Sequence, residues 1–227
     1  MYETERLVLR AFDLDTDLDI IIRWGNDAEY MTLQSSGPQM PATRESSKEF
    51  LTAHITKSKL PFFMVCEKPA VWPVQLNPEE EYFKAHVKAC GPPIGTIGLQ
   101  DSPFDFKNRV AGLGIGLADR KHRAKGYGTE LMNWMLEYGF MELGLHRIEL
   151  RVYSFNEKAI KLYRKIGFKE EGRLRKTYFR GGQWYDIILM AVLEEEWFDI
   201  RKGLKGQDEQ AEPGATAILP DAKPILS

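Results

Sequence analysis

What this chain lacks narrows its chemistry before any motif is considered. It holds 2 cysteines, Cys66 and Cys90, in 227 residues. That is too few for a disulfide framework, and no C-x-x-C spacing offers a metal site, so free thiols in a reducing compartment are expected. Its 4 histidines are scattered, and neither His122 nor His146 has the partner pattern of a triad or a metal site. No apolar run approaches the roughly 18 residues that a membrane helix needs. Met1 to Ala11 alternates charged with aliphatic residues and lacks the continuous apolar stretch of a secretory signal, so a cytoplasmic protein is expected. Charge of one sign is missing too. A total of 31 basic residues against 33 acidic ones leaves a net −2, which gives nucleic acid or an anionic membrane little to grip. No segment repeats.

What is present reads as one globular unit, with 43% hydrophobic and 28% charged residues and enough length for a single substantial core. Alternation predicts a strand over Arg6 to Phe12, then a helix capped by Asp13 or Asp15 that buries Leu18, Ile21, Ile22 and Trp24. Thr43 can cap a second helix, with Phe50, Leu51 and Ile55 on its apolar face. Phe62 to Cys66 and Ile94 to Leu99 read as strands. Between them, residues 68–93 form a proline-rich, acidic surface insertion with a strand extension near Ala85 to Cys90, either passive or lid-like. Val110 to Ala118 is a strand with Gly112, Gly114, Gly116 and Ala118 along one face, which marks close approach by a ligand or tight packing against a helix.

A helix beginning at Gly126 or Tyr127 carries Leu131, Trp134, Met135 and Tyr138 at helical spacing and stops at Gly144. Arg147 to Tyr153 is a strand, and Asn156 caps a helix that Gly167 ends. Arg173 to Arg180 and Gln183 to Leu193 form a hairpin around Gly181-Gly182. The order β-α-α-β-β-β-α-β-α-β-β predicts an α/β (α+β) fold, a mixed, mostly antiparallel sheet flanked by helices. The expected domain covers residues 1–200, and residues 203–227 are expected to be a disordered tail. Glu194-Glu195-Glu196 reads as a solvated face, Trp184 and Trp197 as core or interface aromatics, and Asp186 as a buried hydrogen-bonding group.

The chemistry concentrates between the glycine-rich strand and the helix that follows. Arg123-Ala124-Lys125-Gly126-Tyr127-Gly128-Thr129 places flexible backbone at a helix start, where unpaired N–H groups and the helix dipole favour an anion. Arg120, Lys121, Arg123 and Lys125 add cations, which suits a polyphosphorylated ligand. The segment is not a Walker loop, because Gly128 is followed by Thr129-Glu130, and it is not a dinucleotide fingerprint, because Gly112, Gly114 and Gly116 lie inside the strand.

The pattern Arg123-x-x-Gly126-x-Gly128 resembles the pyrophosphate-binding motif of the GNAT superfamily of acetyltransferases. Thr4 to Arg10, Asn156 to Phe168, Gly172 to Arg175 and Trp184 to Ile187 resemble one branch, the RimJ/RimL-like protein N-acetyltransferases. The likeness spans about residues 3 to 198 and leaves out the insertion. It implies a GNAT-like single domain using acetyl-CoA and no metal. Backbone amides of Arg123 to Thr129 would hold the pyrophosphate, and Leu117 and Ala118 would pair with the pantetheine arm as an added strand. Asn156 would hydrogen-bond that arm, Ala159 would leave room for its thiol end, and Tyr163 would stand where the family often has a general acid. Helical spacing independently sets Asn156, Ala159, Ile160 and Tyr163 on one face.

The reaction so implied is attack of a neutral amine on the thioester. Glu149, on the polar side of its strand, is a candidate base; a salt-bridged carboxylate is the other reading of it. A tyrosine near 10 is a weaker acid than a thiol near about 8.5, so Tyr163 is expected to hydrogen-bond the departing thiolate and not to protonate it fully. The expected acceptor is a protein N-terminal amine. The alternatives are a small amine such as a polyamine or an antibiotic, a regulatory module that binds acetyl-CoA without turnover, and nucleic-acid binding through Arg120 to Lys125. A monomer or homodimer is expected.

Overall fold

The computed structural model describes residues 1–34, 37, 39–56, 59–70, 87–101 and 106–208. Most of the expected insertion, and the tail beyond residue 208, lie outside them. The strands are β1 (Tyr2–Glu3), β2 (Leu7–Arg10), β3 (Phe62–Glu67), β4 (Gly95–Asp101), β5 (Val110–Leu117), β6 (Arg147–Tyr153), β7 (Lys169–Arg180) and β8 (Gln183–Leu193). They form a single sheet in the order β1-β2-β3-β4-β5-β6-β8-β7. Every neighbouring pair is antiparallel except β5 and β6.

Two layers of helix cover the sheet. On one face, α4 (Tyr127–Glu137) and α5 (Glu157–Ile166) pack on Leu7, Leu9, Val65, Ile97, Leu113 and Ile148, all buried in the main core. On the other face lie α1 (Leu14–Gly25), α2 (Ala28–Gln34) and α3 (Arg44–Thr56), with Trp24 and Tyr30 set against Met64 and Ala118. With both faces of β2 covered, even Arg10 is buried, at 1% exposure. Its Nη1 and Nη2 each donate to a carboxylate oxygen of Asp17 at 2.7 Å. Fork geometry of this kind is what allows a guanidinium inside a core.

Several expectations need amending. The first helix ends at Gly25, close to the expected Trp24, but a further helix, α2, follows that was not expected; at the junction Asn26 donates from its side chain to Ile22 O and Ala42 O while Ala42 N–H donates back to its Oδ1. Residues 87–89 are helical, so no strand forms there. Residues past Trp197 do not trail off: α6 (Glu194–Asp208) follows β8 directly and takes in residues 203–208 of the expected tail. Glu194 to Glu196 form its first turn, where Glu196 accepts from Leu193 N–H and pairs with Lys169. Carboxylates there offset the dipole at a helix start. Trp197 is core at 5% exposure, whereas Trp184 is 57% exposed against Phe179. The β7–β8 hairpin turns as expected, since Gly181 and Gly182 have φ of 55° and 78° and Arg180 pairs with Gln183. Cys66 and Cys90 are free, buried thiols. Among the described residues, no helix is long and apolar enough to cross a membrane, and no group of histidine, cysteine and carboxylate side chains could hold a metal ion.

Candidate active site

The sheet opens where β5 meets β6. Their parallel pairing covers only Val110 to Gly112 against Arg147 to Glu149. Beyond it the two strands part, β5 staying with β4 and β6 with β8. The phase of the ladder decides which groups face the gap. Ala118 N–H donates to Ile94 O at 3.0 Å, so Gly116, Gly114 and Gly112 also bond to β4. Alternation then turns the N–H and C=O of Leu113, Ile115 and Leu117 towards the gap. Ile115 O accepts from Gln34 Nε2 at 3.2 Å. The backbone of Ala118 is engaged on both sides, by Ile94 and by Arg123. Of the two residues expected to pair with a pantetheine arm, Leu117 alone directs its N–H into the gap.

At the end of β5 the chain bends into a backbone cradle at the start of α4. A single turn over Arg120–His122 is capped by Asp119, whose carboxylate accepts from Lys121 N–H. Ala124 has φ 60° and Gly126 has φ 86°, a left-handed geometry that turns successive amides to one side. Gly126 is the N-cap of α4 and provides no side-chain hydrogen bond. The first N–H of α4 to find an intrahelical acceptor is that of Glu130, at Gly126 O. The amides of Tyr127, Gly128 and Thr129 therefore have no acceptor within the helix, as expected of a first turn.

The basic side chains do not all face this cradle. Arg120 and Arg123 both pair with Glu29 of α2, and Lys121 pairs with Asp119. Arg123 also donates to Leu117 O and Ala118 O, both at 3.0 Å, so its side chain ties α2 to the end of β5. Among the described residues Lys125 has no ion pair and is exposed. Sequence reasoning missed Arg6. Its guanidinium donates to Lys125 O at 2.8 Å, pairs with Glu130, and lies 4.8 Å from the centre of the Tyr127 ring. It presents a cation beside Gly126, brought there by a contact across more than a hundred residues that no local pattern shows.

The glycines divide by role. A Cβ on Gly128 would sit 3.1 Å from Leu162 Cδ2, so this glycine lets α4 and α5 approach each other. A Cβ on Gly116 would lie 2.4 Å from the Tyr30 hydroxyl, and one on Gly112 would meet Gln100, whereas Gly114 faces open space. The expected packing against a helix is found at Gly116, while the backbone at Gly114 is open.

On the far side of the gap, Asn156 caps α5 by accepting from Ala159 N–H at 3.3 Å. Ala159 and Tyr163 pack against the main core beside buried Ile160. Among the described residues the Tyr163 hydroxyl has no hydrogen bond. Burial alone pushes its pKa up to about 12. Glu149 is in register with Gly112 across β5–β6, on the same face as the glycines. Arg147 donates to it at 3.1 Å and also binds Glu171, so Glu149 is a half-buried, ion-paired carboxylate. His122 is buried at 7% exposure with Nδ1 lacking a partner.

A sheet that parts beside an uncapped helix start is the arrangement the resemblance implies, and comparison with known proteins decides the family. The description "Acetyltransferase (GNAT) domain" matches residues 6–169. The chain belongs to the GNAT acetyltransferase family. It is 40% identical to the uncharacterized N-acetyltransferase YnaD of Bacillus subtilis (strain 168) over 197 residues, 86% of this chain and 97% of that one. It is 38% identical to a spermidine N(1)-acetyltransferase of Vibrio cholerae over 106 residues, 47% of this chain and 60% of that one. The crystal structure of spermidine N-acetyltransferase from Vibrio cholerae with CoA and spermine superposes with a TM-score of 0.66 at 27% identity, covering 85% of this chain and 98% of that one.

This GNAT protein is an acetyl-CoA-dependent N-acetyltransferase, and its open amides fit the cosubstrate. The first turn of α4 offers N–H donors and the positive end of a dipole to a diphosphate. The gap beside Leu113, Ile115 and Leu117 is an unpaired strand edge on which an extended amide-containing arm can lie.

Proposed function

We propose that the acceptor is a small-molecule primary amine. The observation that carries this reading is a cavity of about 830 Å³ that reaches Gly114 and Ile115 at the open edge of β5 and is walled by α1, α2 and α3. That volume is the size of a small-molecule site. The relatives whose names state an acceptor point the same way, to spermidine. The protein N-terminus that the RimJ/RimL-like motifs suggested draws no comparable support from either source.

In this reading the amides of Ala124, Lys125, Gly126, Tyr127, Gly128 and Thr129 hold the pyrophosphate, whereas the N–H of Arg123 is taken by Arg120 O at 3.0 Å. The N–H of Leu117 bonds the pantetheine arm, and the free amide edge of Asn156 steadies its far end. The N–H of Ile115 lies next to the cavity and donates to the thioester oxygen as charge develops on it. Ala159 leaves space for sulfur beneath Tyr163. Glu149, held in place by the hydrogen bonds from Arg147, accepts the proton of the attacking amine through water.

Tyr163 hydrogen-bonds the leaving thiolate. With the phenol at about 12 and a thiol near about 8.5, full proton transfer is uphill by roughly 5 kcal/mol. A bond shared with the sulfur is favourable without that transfer. CoA release measured against small amines and against N-terminal peptides tests the assignment. Turnover of peptides in preference to every small amine overturns it.

A further inference from the structure

We propose that the acceptor is a primary monoamine with an aromatic or branched aliphatic body, and not a polyamine; this rests on the small-amine reading of the same cavity. The argument is one of charge and apolar surface. The cavity is walled by Trp24, Met31, Met40, Phe50, Leu51 and Phe62. Its polar lining is neutral: Gln34, Ser46, Ser47, Thr96 and Gln100, with the phenol of Tyr30. Tyr30 is itself buried, and loss of solvent pushes its pKa up to about 12, so it stays uncharged. Among the described lining residues, Asp101 alone carries a charge.

A polyamine is an ammonium ion at each nitrogen near neutral pH. After one nitrogen sheds its proton to attack the thioester, the others still need carboxylates or water. Burying an unmatched cation against tryptophan, methionine and leucine is strongly unfavourable. Asp101 can match one such group at the end of β4 and no more. The carboxylates of Asp13, Asp15, Asp17 and Asp19 do not help, because they line a separate cavity of about 780 Å³ at the start of α1. An amine with a single nitrogen loses its only charge when it becomes the nucleophile. Its hydrocarbon body then gains from the same walls that reject a polycation.

Two wall residues present wide apolar surface to solvent at the cavity. Phe50 is 52% exposed and Met40 is 75% exposed, large for apolar side chains, and both border the cavity. A bound hydrocarbon body would cover them.

The test compares CoA release by the full chain with 2-phenylethylamine, isoamylamine, putrescine and spermidine at saturating acetyl-CoA. The expected result is a kcat/KM for 2-phenylethylamine at least about tenfold above that for spermidine, the scale on which a hydrophobic pocket discriminates. In Phe50→Asp, and separately in Met40→Asp, the added carboxylate should raise KM for 2-phenylethylamine and lower it for spermidine, leaving KM for acetyl-CoA unchanged. Neither residue is buried in the core, so both variants should melt close to the parent. Preference of the parent protein for spermidine, or acceptor KM values unmoved in both variants, overturns the proposal and leaves the small-amine reading standing. Absence of acetyl transfer to every amine overturns that reading and this proposal together.

Discussion

Replacing Tyr163 with phenylalanine separates chemistry from folding in this enzyme. The hydroxyl makes no hydrogen bond among the described residues, while its ring packs against the main core, 6.0 Å from the ring of Phe168. Tyr163→Phe therefore removes one oxygen, keeps the packing, and should leave the melting temperature nearly unchanged. In the proposed mechanism the kinetic cost is the lost bond to a developing thiolate. A hydrogen bond to a charged group contributes about 1.5–3 kcal/mol, equivalent to a fall in kcat of about 10- to 100-fold. Because the bond strengthens as the C–S bond breaks, KM for acetyl-CoA should stay nearly constant. The assay follows released CoA thiol with a chromogenic disulfide at saturating amine, beside a thermal melt of each protein. An unchanged kcat would refute the role given to the hydroxyl. A matched loss of kcat and melting temperature would show that it holds the fold instead.

Asn156→Ala should remove the cap of α5, with a loss of about 1 kcal/mol and about 2–4 °C in melting temperature for a domain of this size, together with weaker CoA binding by calorimetry. Gly126→Ala places a Cβ at φ 86° and 3.1 Å from Arg6 Nη2, so CoA affinity should fall through strain of about 1–2 kcal/mol at the cradle itself. Asp17→Asn leaves the guanidinium of Arg10 buried without its counter-charge, and loss of about 3–5 kcal/mol in chemical denaturation is expected. At high pH, burial holds the phenols of Tyr30, Tyr138 and Tyr163 at about 12, whereas in the unfolded chain they ionise near about 10. Across that window the folded state keeps more protons than the unfolded state, so stability should fall as pH rises from 10 towards 12. Tyrosinate absorbance should accordingly show a late step that coincides with unfolding.

Much of this architecture was legible in one dimension, for identifiable reasons. Asn156 with Gly167 bounds α5, and Gly181-Gly182 sets the β7–β8 turn, because caps and left-handed turn positions depend on a few adjacent residues. The bend was legible on the same ground: Arg123 to Thr129 is contiguous, and open amides are a property of backbone at a helix start. The helix α2 was not, since its only buried residue, Tyr30, gains its packing from the remote residues Met64 and Ala118. The helix α6 was missed because its acidic first turn mimics a solvated surface, while Trp197 beneath it packs on distant Phe140.

The sequence by itself determined the strand and helix alternation, the bend at the start of α4 and the family, because each is written in neighbouring residues. Tertiary structure alone decided which charges serve the site. Glu29 claims Arg120 and Arg123, Arg6 arrives at Gly126 from the other end of the chain, and Arg147 holds Glu149. It alone decided the cavity proposed for the acceptor too, since Trp24, Phe50, Phe62 and Gly114 line one cavity only when three helices close over the bare face of β5. Contacts between remote segments are fixed by packing of the whole chain, and no local spacing encodes them.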